Sequence, residues 1–171
     1  EKTCFYLSEF LFSDGMIFVT KKNAYLFTDF RYLEAAETEA RGCRVSTANR
    51  YEEIRKIIED EAIKTIGFED DLLPVCMLER FKKEFSSCSF VPMGGTVRML
   101  AEYKDEREMA LVREAQAITD EAFAAVLALL RPEMTETDVA AELEYQMKKR
   151  GASGTSFDTI AVSGTNSARP H

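Results

Sequence analysis

The chain has 171 residues, 46% of them hydrophobic and 30% charged, the make-up of one ordinary globular domain or two small ones. Its net charge of −8, from 22 basic and 30 acidic residues, argues against a nucleic-acid binder, because neutralising phosphates takes clustered Lys and Arg. No apolar run is long enough to span a membrane, and Cys4, Cys43, Cys76 and Cys88 form no C-x-x-C pair, so they read as reduced core thiols in a cytoplasmic protein.

The first hundred residues alternate strand and helix signals. MIFVT (16–20) and AYLFT (24–28) are rich in β-branched and aromatic residues and flank Lys21-Lys22-Asn23, which predicts a hairpin. RYLEAAETEAR (31–41) is made of helix formers and is followed by Gly42, a favourable residue just past a helix end. A short strand is expected at 43–47. A helix follows over 51–62, with Ile54, Ile57 and Ile58 on one face. TIGF (65–68) reads as a strand. Residues 74–85 read as a helix with Leu78, Phe81 and Phe85 on one side, and 89–93 as a last strand before Gly94-Gly95. This order implies an α/β fold whose sheet is mixed because of the hairpin.

The pattern changes after a boundary placed at about 98–104. Asp105 with Glu108 is a cap signature opening a helix to about Leu130, with Met109, Val112, Ala115, Phe123, Val126, Leu127 and Leu130 available for burial. Arg131-Pro132 stops it. Thr135 with Asp138 caps a second helix that carries Val139, Leu143 and Met147 and closes at Gly151. A strand is expected over Phe157–Val162, followed by a polar turn. The only histidine, His171, is the last residue.

Little chemistry is visible in spacing alone. There is no G-x-G-x-x-G or G-x-x-x-x-G-K loop for a nucleotide. Ser163-Gly164-Thr165 is not a nucleophile elbow, and a single imidazole leaves no internal triad. Glu69-Asp70-Asp71 reads as a solvated loop and helix cap rather than a metal cluster. Asp29 is placed to cap a helix with Arg31 as its partner, although Arg31 or Tyr32 could instead face a ligand.

The run GTSFDTIAVSGTNSARPH (154–171) resembles the entry to the catalytic domain of the pita-bread metallopeptidases, the aminopeptidase P and prolidase family with its creatinase-like relatives. AYLFTDFRYLEAA (24–36), IGFEDD (66–71), KDEREMALVREAQAITDEAF (104–123) and RPEMTETDVAAELEYQM (131–147) resemble successive parts of the same family in the same order. The resemblance implies a creatinase-type N-terminal α/β domain over 1–103. The first two helices and first strand of a pita-bread α+β catalytic domain would then occupy 104–171. It also implies a chain trimmed at both ends relative to the family.

The resemblance further implies Xaa-Pro peptidase chemistry: hydrolysis of the bond before proline by a water activated by two divalent metals, manganese or cobalt. The family's metal ligands, two Asp, one His and two Glu, lie downstream of the Pro-His turn. None is therefore expected in this chain, which alone is expected to bind no metal pair and to be inactive. The family's histidine at the position of His171 is not a ligand but hydrogen-bonds the substrate, which makes His171 the single expected catalytic and substrate-binding residue. The implied partners are a peptide with proline at its second position and further copies of the chain, as dimer or tetramer. Two alternatives share the resemblance: a metal-free relative acting as a binding module for protein or nucleic acid, and a creatinase-type amidinohydrolase. One departure is local. The family's G-F-T-G-S-x-G loop is here Glu9-Phe10-Leu11-Phe12-Ser13-Asp14-Gly15, with Glu9, Leu11 and Phe12 in place of small residues.

Overall fold

The structure, a computed structural model, describes residues 2–169. The chain divides into two compact units, Glu1–Tyr103 and Lys104–His171. The first contains α1 (Lys2–Ser8), β1 (Gly15–Val19), β2 (Ala24–Thr28), α2 (Leu33–Glu39), β3 (Cys43–Ser46), α3 (Arg50–Asp60), β4 (Thr65–Phe68), α4 (Val75–Glu84), β5 (Ser89–Pro92) and α5 (Thr96–Glu102). The second contains α6 (Glu106–Leu129), α7 (Glu136–Lys149) and a 3-10 turn, Gly164–Ala168.

The predicted hairpin forms. Its four-residue turn is closed by Thr20, whose amide donates to the Asn23 carbonyl at 2.8 Å and whose Oγ1 accepts from the amides of Lys22 and Asn23 at 3.1 Å. β1 and β2 pair antiparallel, Met16 opposite Phe27, and β3 joins β2 in parallel, Val45 opposite Leu26. This sheet is mixed, as expected. β4 and β5 form a separate parallel pair. Side-chain packing on α3, rather than a hydrogen-bonded ladder, brings the two sets of strands together.

Successive strand residues point to opposite faces, and the core follows that alternation. Phe27 joins Ile54, Ile57 and Ile58 of α3 and Phe85 after α4, with Met16, Phe18, Ile66 and Phe90 packed around them. Its neighbour Leu26 faces the other way, into Phe10, Phe12 and Ala36, with Ile17 and Val45 alongside. The α3 isoleucines recur at the spacing that puts them on one helix face. Fully burying one such side chain stabilises by roughly 1.5–3 kcal/mol. The rings of Tyr51, Phe81 and Phe85 lie 6.1 to 6.3 Å apart and close this face. Cys4, Cys43 and Cys88 are half-buried free thiols beside these clusters, whereas Cys76 is exposed. Burial pushes the Cys4 and Cys43 thiols up, which favours the protonated form.

The altered loop is absorbed by the core. α1, which composition did not announce, ends where Ser8 Oγ donates to the Cys4 carbonyl at 2.8 Å. Glu9 then takes φ +55°, the left-handed region that a glycine occupies without cost. Phe10 and Phe12 are buried and stack with ring centroids 5.8 Å apart, while Leu11 is exposed. A Cβ on Gly15 would stand 2.3 Å from the Phe27 carbonyl oxygen and 2.8 Å from the Phe12 ring, so this position excludes a side chain.

Several expectations give way. Asp29 does not cap α2, whose N-cap residue is Tyr32. Nor does the acidic loop cap α4, which starts after Pro74. Asp70 instead accepts from the Gly94 amide at 2.7 Å and Asp71 pairs with Arg98 at 3.0 Å, so the acids fasten the turn that opens α5. In the second unit only Ala122 and Val126 of α6 are buried. Val112, Phe123, Leu127 and Leu130 are exposed, so most of the stripe available for burial is left uncovered by the described residues. Residues 157–162 belong to no strand, because no segment among the described residues offers them a ladder.

Candidate functional site

The segment that leads to His171 is held by helix α7, and α7 is fixed by its own sequence at both ends. Thr135 Oγ1 accepts from the Asp138 amide at 3.1 Å and the Asp138 carboxylate accepts from the Thr135 amide at 2.8 Å, a reciprocal capping box. Those hydrogen bonds from Thr135 hold the Asp138 carboxyl below its ordinary range. At the other end the amides of Gly151 and Ala152 donate to the carbonyls of Lys148 and Met147, both at 3.1 Å, with Gly151 at φ +102°. This is a Schellman closure in its usual residue choice. Arg150 braces the helix by donating to the Gln146 carbonyl at 3.0 Å and pairing with Glu121 of α6 at 3.3 Å.

After Gly151 the chain turns back along α7. Thr159 Oγ1 donates to Glu144 Oε1 at 2.9 Å. Glu136 Oε1 accepts from the Ser163 amide at 2.6 Å, from Ser163 Oγ at 3.1 Å and from Asn166 Nδ2 at 3.1 Å, and Oε2 accepts from the same Nδ2 at 3.0 Å. The two glutamates are two turns apart on the helix, a rise of roughly 12 Å at 1.5 Å per residue. The four residue steps from Thr159 to Ser163 reach roughly 13 Å when fully extended. The β-branched stretch read as a strand is thus an extended strap, tied down by carboxylates instead of a neighbouring strand.

The Asn166 side chain, and then the Ser163 amide, hold the Glu136 carboxyl below its ordinary range. A lowered carboxylate contributes stability above its unfolded pKa and loses it as pH falls through the folded value. The clamp is therefore fully made at neutral pH. Beyond it the Arg169 amide donates to the Asn166 carbonyl at 2.9 Å. His171, the one expected catalytic and substrate-binding residue, lies with Pro170 outside the described residues.

The other candidates are occupied structurally. Arg31 forms a forked pair with Asp29, Nε to Oδ1 and Oδ2 at 3.0 Å and Nη2 to Oδ2 at 2.5 Å, which holds the Asp29 carboxyl low. Tyr32 OH and Ser13 Oγ are 2.6 Å apart. Of these groups Asp29 helps line, with Asp14 and Arg50, an open cavity of about 320 Å³. Arg31 and Tyr32 thus already have partners of their own. No group of three or more His, Cys, Asp or Glu among the described residues could hold a metal ion. No described helix is long and apolar enough to cross a membrane.

Comparison with known proteins fits this arrangement. Residues 1–100 match the model of the creatinase/prolidase N-terminal domain, and residues 110–171 match that of metallopeptidase family M24. The chain belongs to the creatinase/prolidase family of M24 metallopeptidases. Among its relatives is the uncharacterized peptidase YqhT of Bacillus subtilis, 31% identical over 97% of this chain and 48% of the relative. Two solved structures superpose on the whole length. The Xaa-Pro dipeptidase from Bacillus anthracis does so with a TM-score of 0.87 and 35% identity, covering 100% of this chain and 48% of its own. The X-Pro aminopeptidase from Thermotoga maritima gives 0.88 and 33%, covering 99% and 48%. The chain thus spans about half the length of the relatives it matches. The fold these structures share is the pita-bread architecture implied by the resemblance.

Spacing alone missed Glu136, Glu144, Ser163 and Asn166. The signal was weak but present: a glutamate at the first position of a capped helix, and a Ser/Asn turn with no partner of its own. Nothing in the sequence joins residues 27 and 30 positions apart.

Proposed function

We propose that this chain is the N-terminal half of an Xaa-Pro metallopeptidase that releases residues preceding proline and acts in the cytoplasm as a homodimer or tetramer. The observation that carries the reading is the clamp on Glu136, which fixes the Ser163–Asn166 turn two residues before the sequence Arg-Pro-His, together with relatives named as Xaa-Pro peptidases over the whole chain.

In this reading His171 faces the substrate. Its imidazole donates a hydrogen bond to the polarised carbonyl region or passes a proton toward the leaving proline nitrogen, work for which histidine is the usual side chain. The described residues do not themselves form a metal centre. The manganese or cobalt pair of the family would supply Lewis-acid polarisation and an activated water, with ligands contributed by the longer polypeptide.

The test compares the 171-residue chain with the longer polypeptide, each with manganese, on Xaa-Pro dipeptides, longer Xaa-Pro peptides and creatine. The longer polypeptide is expected to release the residue before proline and the 171-residue chain to release none. His171→Ala in the longer polypeptide is expected to lower kcat by about 10²–10⁴-fold, the range of a lost general acid–base group. Turnover of creatine alone, or proline-directed cleavage by the 171-residue chain, would overturn the reading.

A further inference from the structure

The segment between Gly151 and Arg169 has almost no core of its own. Phe157, Ile160 and Val162 are 72%, 51% and 44% exposed, so apolar burial does not set its path. Among the described residues, its side-chain anchors to the helices of the unit are the two carboxylates on α7. Glu144 holds one point, Thr159, by one hydrogen bond. Glu136 holds two residues, Ser163 and Asn166, through both carboxylate oxygens, and engages a backbone amide as well as two side chains. A backbone amide bound to a rigid helix fixes main-chain position, which a hydroxyl contact alone does not. Glu136 is also the first residue of α7, inside the Thr135–Asp138 capping box that fixes this end of the helix.

We propose that Glu136 is the positioning residue of the candidate active site: it sets the main-chain path of residues 163–169, the segment that precedes the one expected catalytic residue. Glu144 guides the strap but does not set the turn. The catalytic consequence rests on the peptidase reading above, whereas the clamp itself does not.

The geometry makes the two glutamates separable. Site-resolved hydrogen exchange on the 171-residue chain is the first measurement. In Glu136→Ala the Ser163 amide is expected to exchange at least ~10-fold faster and the Asn166 side-chain amide to lose its distinct signals, as expected when a charge-assisted bond is removed. Amides within Val139–Met147 keep their protection. Glu136→Gln keeps one acceptor oxygen and is expected to restore part of the Ser163 protection. Glu144→Ala is expected to free Thr159 and leave Ser163 protected. An unchanged Ser163 amide in Glu136→Ala would overturn the proposal, and so would loss of protection throughout α7, which would make Glu136 a helix residue only.

In the longer polypeptide Glu136→Ala is expected to lower kcat with KM changed less than about 2-fold, because a misplaced group costs rate more than binding. Glu136→Gln recovers part of the loss. A freed turn with unchanged kcat would overturn the positioning role. A longer polypeptide that cleaves no Xaa-Pro peptide even with Glu136 intact would sink the peptidase reading, while the exchange result would still decide the clamp.

Discussion

The two units of this chain solve the same problem in different ways. Residues 2–103 bury Leu26 and Phe27 on opposite faces of one strand and cover each with helices and aromatic rings. Residues 104–169 bury little beyond Ala122, Val126 and Gln146, and are defined instead by paired helix caps, a Schellman closure and carboxylate clamps. The first unit is shaped by long-range burial. The second is shaped by local hydrogen bonds around two helices, with much of its apolar stripe left uncovered by the described residues. Precise local geometry therefore does not require a core, although global stability does.

Matched substitutions test this contrast, and the largest difference is expected for two phenylalanines. Phe27 is 2% exposed and Phe123 is 55% exposed. Phe27→Ala should cost about 3–5 kcal/mol by loss of burial and cavity formation. Phe123→Ala should cost less than about 1 kcal/mol, as surface changes do. Denaturant titration followed by circular dichroism reads both, and equal losses would break the comparison.

Next in size are the helix caps. Thr135→Ala removes the acceptor for the Asp138 amide and should cost about 1 kcal/mol, seen as fraying of the first turn of α7 by hydrogen exchange. Asn49→Ala removes the acceptor for the Tyr51 amide at the start of α3. Its first turn should stay protected, because Ile54, Ile57 and Ile58 anchor that helix from below. Equal fraying at the two sites would mean that burial lends α3 no local rigidity.

The smallest effects should come from the helix ends. α3 closes with the same Schellman pattern as α7, the amides of Ala62 and Ile63 donating to the carbonyls of Glu59 and Ile58. At α3, however, the left-handed position is an alanine, at φ +51°. Ala62→Gly should raise the thermal midpoint by relieving up to about 1 kcal/mol of backbone strain, and Gly151→Ala should lower it by a similar amount. If both substitutions moved the midpoint the same way, residue choice at these ends would not follow backbone geometry.

How much of this could be read beforehand depended on the range of the interaction. The hairpin at 16–28, the isoleucine face of α3 and both capping boxes are encoded within a few residues, and each formed where its pattern stood. Phe157–Val162 failed as a strand because alternation reports extension, not a partner. The chain there is tied to a helix by side chains that no local pattern links. The exposed stripe on α6 shows a related limit: periodicity says which face is apolar, not what covers it. Asp29 and the Glu69–Asp71 run had the residue types of caps, but their carboxylates found Arg31, Arg98 and the Gly94 amide instead. Of the candidate site, family resemblance supplied His171, and only the folded geometry brought Glu136 to Ser163 and Asn166.

The parallel pairing of β2 with β3 and of β4 with β5 also has a consequence for how quickly each part of the chain acquires its shape. Neither ladder can close until an intervening crossover has been traversed, whereas α6 and α7 are sequential helices joined by a short connection. Low contact order favours rapid folding, and loop closure slows non-local pairing. The unit that leaves the ribosome first is therefore expected to be the slower of the two to fold, which site-resolved refolding by pulsed hydrogen exchange would check.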